Sequence, residues 1–128
     1  MQHCLPEGVC VKAKNLRPKH DNLREWMANS SHVYVGRRGR IFIKERGGGK
    51  HVFHYKDSEW CNPFKLTEYS LEESLEKYEN YLCRKLDDDP DALERFRHLS
   101  FASEIGCFCD PSQKCHRDVI LKILREIS

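Results

Sequence analysis

The chain has 128 residues, with 22 Lys and Arg against 20 Asp and Glu, and seven cysteines. That length holds one domain of about 100–150 residues and hardly two, and a formal charge of +2 excludes a basic coat or an acidic tail as the dominant feature. Apolar residues make up only 39%, and none of their runs approaches the roughly 20 residues that span a bilayer.

The first twenty residues lack a continuous apolar segment of signal-peptide length, which points to an intracellular protein, cytoplasmic or nuclear. An odd number of cysteines in that setting favours reduced thiols over a disulfide framework. Val9, Val11 and Ala13 alternate with Cys10 and Lys12, so Gly8 to Leu16 reads as a strand that stops before Arg17-Pro18. Asp21 to Met27 reads as a short helix capped by Asp21. Val33-Tyr34-Val35 reads as a buried strand ended by Gly36. Ile41–Ile43 and His51–Tyr55 flank Lys44 to Lys50, which holds three consecutive glycines, so the pair reads as a β-hairpin.

Ser58 to Phe64 reads as a structured loop. Ser70 and Glu73 form a capping box, and Leu71, Leu75, Tyr78 and Leu82 follow on one helical face as far as Leu86. Asp89-Pro90 starts a second helix, with Asp as N-cap and Pro at the first helical position. Ile105 to Cys109 reads as a strand, and after a turn through Asp110-Pro111-Ser112 a last helix carries Val119, Ile120, Ile123, Leu124 and Ile127. Residues 1–128 therefore read as a single α/β domain, with a central sheet of three to five strands and three main helices.

The stretch GCFCDPSQKCHRDVI, residues 106–120, carries the densest chemistry. Cys107 and Cys109 are two apart on a strand and share a face. Cys115 and His116 follow where the last helix begins, so three thiols and an imidazole can converge. Three Cys and one His make a tetrahedral zinc set, although adjacent Cys115 and His116 are awkward ligands for one ion. Alternatively, Cys115 at a helix N-terminus, beside His116 and Arg117, is a candidate thiolate or part of an anion site. The plain alternative is packing, since free cysteine behaves as a small apolar residue.

SEWCNPF at residues 58–64, the C-terminal stretch above, Asn15-Leu16-Arg17 and HVYVGR at residues 32–37 occur in that order. Together they resemble the family called domain of unknown function 4326, over most of the chain. The resemblance implies a compact α/β domain. It also implies a motif of Asn62, Pro63, Phe64, Cys107, Cys109, Cys115, His116 and Asp118, and it supplies no reaction. The chain departs from that pattern at Cys61, where the family usually has Gly, and at Arg117, where it usually has a small residue. Residues 38–57 look like an inserted basic hairpin, so a role for that hairpin is not part of what the resemblance implies.

Two functions fit these readings. In the first, the domain binds a phosphate-bearing ligand such as a nucleotide. Cys115 and His116 are then the candidate catalytic pair, Arg117 a charge clamp, and Asn62 and Trp60 ligand contacts. Asn62-Pro63 also reads simply as turn chemistry, and Trp60 simply as core. Whether catalysis follows binding is open at this level. In the second, Cys107, Cys109, Cys115 and His116 hold zinc, and the domain is a structural or nucleic-acid interaction module. The run from Arg37 to Lys50 holds six cations and one acid, Glu45, and Phe42, Phe53 and Tyr55 are interleaved along the same hairpin. It could meet nucleic-acid backbone, or it is a charged edge that resists strand pairing.

Overall fold

The computed structural model describes residues 5–16, 19–44, 47–108 and 115–127. Three strands form a wholly parallel sheet: β1 (Glu7–Cys10), β2 (His32–Tyr34) and β5 (Glu104–Cys107), in the order β1-β5-β2. The last strand in the chain is thus the central one. Glu104 lies opposite Glu7 on one side and His32 on the other. Parallel neighbours require long crossovers. The short helices α1 (Ala13–Leu16) and α2 (Leu23–Met27) lie between β1 and β2, and everything from residue 35 to residue 103 lies between β2 and β5.

That second crossover holds a separate antiparallel pair, β3 (Gly39–Lys44) with β4 (Lys50–Tyr55), and two of the three main helices, α3 (Leu71–Asp88) and α4 (Pro90–Arg97). A 3₁₀ turn at His98–Phe101 leads into β5, and α5 (His116–Ile127) closes the chain. The fold is α/β, with three strands in the central sheet. Among the described residues no helix is long and apolar enough to cross a membrane.

Strand alternation sorts the core into two halves. Val33, Val35, Ile105 and Cys107 point to the face covered by α3, α4 and α5, where Tyr78, Leu82, Leu86, Phe96, Ile120, Ile123 and Leu124 pack. Val9, Val11, Tyr34 and Phe108 belong to the opposite half, which gathers Leu16, Leu23 and Trp26 with Ile41, Phe53 and Tyr55 of the hairpin. Gly106 faces this second half. A Cβ there would stand 2.5 Å from Val11 Cγ1 and 2.9 Å from the Trp26 ring, so the missing side chain is what lets the indole lie on the sheet.

Helix α3 starts as its sequence implies. Ser70 Oγ accepts from the Glu73 amide at 3.1 Å, and Asp89 Oδ1 accepts from the amides of Asp91 and Ala92 to start α4 with Pro90 in its first turn. Gly48, with φ of 90°, occupies a conformation that side chains disfavour in the turn of the hairpin.

Four expectations are corrected. The first strand ends at Cys10, and residues 13–16 are helical. Val11 N still donates to Cys107 O, but β5 offers no partner beyond it, and Lys12 O takes the Asn15 and Leu16 amides instead. Asn22, not Asp21, caps α2, accepting from Glu25 N at 2.9 Å. The fully buried stripe of α3 is Ser74, Tyr78, Leu82 and Leu86, one residue round from Leu71 and Leu75, which are only half-buried. Strand β5 spans Glu104–Cys107; Cys109 and the turn at residues 110–112 lie outside the described residues, as does Arg46 of the basic run.

Candidate functional site

The C-terminal ends of the three parallel strands open into a pocket of about 580 Å³. Open parallel sheets bind ligands at this edge, because the loops there diverge and leave a crevice. Lys12 follows β1, Gly36, Arg37 and Arg38 follow β2, and Cys107 and Phe108 end β5. Cys115 and His116 arrive from the start of α5, and Asn62 and Phe64 from the loop before α3. Three cationic side chains and no carboxylate are among the described residues that line it.

The buried floor is the sulfur–imidazole cluster. Ligand atoms of Cys107, Cys115 and His116 all lie within 4.8 Å of one another. Cys107 Sγ is 2.8 Å from Cys115 Sγ, and Cys115 Sγ is 3.4 Å from His116 Nδ1. His116 Nε2 donates to the Val35 carbonyl oxygen at 2.7 Å. A carbonyl can only accept, so the proton sits on Nε2 and the Nδ1 lone pair faces the sulfur. Burial pushes the His116 pKa below the usual imidazole value. Arg37 and Arg117 push the same way, against the Val35 hydrogen bond and Asp118. The imidazole is therefore neutral at pH 7, and the expected aid to Cys115 from an imidazolium does not arise.

Cys115 takes part in a disulfide, which corrects the expectation that the thiols are all reduced. Cys107, 2.8 Å away, keeps its thiol and is not its disulfide partner. Asp118 Oδ2 accepts from Cys115 N at 2.9 Å and so caps the first turn of α5.

The sequence-derived residues separate into two groups. Cys107, Cys115, His116 and Asn62 meet at the pocket. Asn62, 8% exposed, holds its own loop: Oδ1 accepts from Phe64 N, Nδ2 donates to Ser74 Oγ, and Ser74 Oγ donates to Phe64 O. The turn chemistry is real, and it also aims one side of the amide at the pocket. Buried Ser74 in the α3 stripe is explained by the same bonds.

Trp60 and Arg117 are not among the pocket residues. Trp60, 5% exposed, packs edge-on against Phe96, and its carbonyl accepts from Tyr78 Oη at 2.6 Å. Arg117, 5% exposed, lies behind the cluster beneath β1, with Cδ and Nε close under Gly8. Its Nη1 donates to Val9 O at 3.3 Å and reaches Cys107 Sγ at 3.6 Å. Its Nε has no hydrogen-bond partner among the described residues, and Asp118 Oδ1 stands 3.8 Å away. A buried guanidinium thus lies beside the Cys107 sulfur.

Lys12, Arg38, Tyr34, Tyr55 and Phe108 line the pocket without having been singled out for it. Their signal was positional: each lies at or near the C-terminal end of a strand, Tyr55 at the end of β4 in the root of the hairpin. The basic run also divides. Arg37 and Arg38 turn to the pocket, where Arg37 Nε donates to Asn62 O at 2.7 Å. Arg40, Lys44 and Lys50 stay on the hairpin.

Comparison with curated proteins and with solved structures yields no match. The family described as Domain of unknown function (DUF4326) matches residues 18–126, which takes in β2, β5, the hairpin, the pocket loop and nearly all of α5, and leaves β1 and α1 outside. The chain belongs to that family.

Proposed function

We propose that the domain binds a phosphate-bearing ligand, a nucleotide in the first instance, in the pocket over the C-terminal edge of the parallel sheet. One observation carries this reading: Lys12, Arg37 and Arg38 line a pocket with no carboxylate among its described lining residues. Cations so placed pair with phosphate oxygens, and arginine does so bidentately. Tyr34, Tyr55, Phe64 and Phe108 supply ring surface for an apolar or heteroaromatic group beside the phosphates. The clamp role falls to Lys12, Arg37 and Arg38, since Arg117 is buried behind the cluster.

The Cys115–His116 pair adds a proton-accepting nitrogen beside a sulfur, the minimum for nucleophilic chemistry once Cys115 is reduced. An intracellular setting, cytoplasmic or nuclear, belongs to this reading because it keeps that sulfur available. The test is thermal unfolding with nucleoside mono-, di- and triphosphates, on the wild type and on Arg38→Ala. Ligand at about a hundred times its Kd stabilises by about 2.7 kcal/mol. The expected result is a raised midpoint in the wild type that shrinks in the variant. A midpoint unmoved by every phosphate compound at millimolar concentration sinks the reading.

A second reading, zinc, is favoured by the His116 geometry. A metal-bound histidine donates its other ring N–H to a carbonyl or carboxylate, as His116 Nε2 does to Val35 O. The sulfur spacing weighs against it. Cys115, in a disulfide, offers no thiolate, and two thiolates on one zinc stand about 3.8 Å apart, from bonds of about 2.3 Å at tetrahedral angles, whereas Cys107 and Cys115 are 2.8 Å apart. Residue 109, the remaining member of the expected set, lies outside the described residues. Mass spectrometry of purified wild type beside Cys107→Ser decides: about one zinc per chain, lost in the variant, establishes the metal site.

A further inference from the structure

We infer that the outer face of the β3–β4 hairpin is a docking surface for single-stranded nucleic acid, separate from the pocket. The register sets three cross-strand pairs on that face: Arg40 with His54, Phe42 with Val52, and Lys44 with Lys50. All six are exposed, whereas Ile43 is buried and Ile41, Phe53 and Tyr55 are half-buried on the inner face against the second half of the core. The described residues of the hairpin include no acid. At the centre stands Phe42, 74% exposed, with Val52 opposite at 36% and the Arg40 guanidinium carbon 5.8 Å from the Phe42 ring centroid.

A charged edge that merely resists pairing has no use for an outward phenylalanine at its centre. Lysines directly opposite one another repel, and a polyanion laid across them removes that repulsion. An aromatic ring flanked by cations on an open strand pair is the arrangement that holds single strands, with bases stacked on the ring and phosphates on the cations. Only Phe42 and Val52 offer apolar area, too little to anchor the face in a bilayer, where buried apolar area carries the binding. The free edge of β3 borders a groove of about 1320 Å³ whose far wall includes Asp21 and Glu25. Arg24 stands with those acids, and Arg40 and Lys44 line the groove from the hairpin side.

The experiment is fluorescence anisotropy with a labelled single strand of about a dozen nucleotides, as DNA and as RNA, over a range of salt. It uses the wild type, Phe42→Ala and the double variant Lys44→Gln/Lys50→Gln. Phe42→Ala should weaken binding roughly tenfold at every salt concentration, since stacking does not depend on ions. The double variant should flatten the slope of log affinity against log salt by about 0.7 for each lysine removed. A large excess of mononucleotide, which addresses only the pocket, should leave the signal in place. Absence of binding at low salt overturns the proposal. So does a Phe42→Ala variant that binds like wild type, or equal displacement by a duplex. Retention on phosphatidylserine vesicles without retention of the oligonucleotide also overturns it and makes the face a lipid contact. All three positions are exposed, and an unchanged urea midpoint confirms that the variants fold.

Discussion

Around the parallel sheet, polar groups are drawn inward and each is held. His116 is tied to Val35, Asn62 to Ser74 and Phe64, and Arg117 to Val9 beneath β1. On the hairpin, 16 residues or more before α3, arginine, lysine and histidine face water, and Phe42 stands among them uncovered. Burying a polar group costs free energy unless it is hydrogen-bonded, so the inner cluster has one geometry. Exposed cations keep their rotamers and adapt to whatever lies on them. The contrast teaches where to look for each kind of recognition: fixed chemistry at the sheet edge, adaptable contact on the hairpin.

The sharpest way to break this contrast is at the residue that joins its two sides. Trp26 is fully buried in the half of the core shared by the sheet and the inner face of the hairpin. Its Nε1 donates to Glu104 Oε1 at 2.8 Å, and its ring stacks on His32 at 4.8 Å. Trp26→Ala should cost about 3–5 kcal/mol of stability, read as a lower urea midpoint. It also removes the Nε1 donor from Glu104 Oε1, leaving His32 Nε2 at 3.7 Å. A cost below about 1 kcal/mol would mean that the half-core under the hairpin contributes little, against the range for such truncations.

Much of this was legible along the chain, and the failures have common causes. The capping box at Ser70, the Asp89-Pro90 start, the glycine-rich hairpin and the last helix are signals contained in a few neighbouring residues, and all four appear in the structure. The end of β1 was not legible, because it is decided by where β5 stops, almost a hundred residues away. Ser74 was passed over as a core position because its burial depends on Asn62 and Phe64, not on hydropathy. Cys107, Cys115 and His116 were legible as a cluster, since their residue types carry chemistry at any address. Trp60 and Arg117 were not: an indole and a guanidinium suit a pocket or a core equally, and packing sent both to the interior. The basic run divided because Arg38 lies in the connection after β2, at the pocket, whereas Arg40 is already in β3 on the outer face of the hairpin.

The inner cluster should also reveal itself by its response to acid. The His116 pKa is lowered by burial, so between that value and the usual 6.5 the unfolded chain binds a proton that the folded chain refuses. Stability from this group is therefore complete above about pH 6.5 and falls as the pH drops. One such proton limits the slope to about 1.4 kcal/mol per pH unit. Urea midpoints from pH 8 to about pH 5 should decline in the wild type. The decline should be shallower in His116→Gln, which keeps a side-chain N–H for Val35 without an imidazole to titrate. Other histidines titrate in both proteins, so the difference between the two curves is the quantity that counts. Parallel curves would place His116 in water and dissolve the buried cluster.

The smallest effect is the most discriminating for the hairpin. Phe42 is mostly in solvent, with Arg40 near its ring and Val52 opposite it. Phe42→Ala should move the unfolding free energy by no more than about 0.5 kcal/mol, the range for surface changes away from packed features. Some loss of strand preference is offset by the removal of apolar surface from water. Set beside Trp26→Ala in the same urea titration, the variant measures the difference between the two faces of one hairpin. A cost above about 1 kcal/mol would mean that Phe42 is packed in the isolated chain, with the outer face folded against part of the protein itself. A ring that stability does not need, at the centre of a cationic face, is then left with a role only in contact with something else.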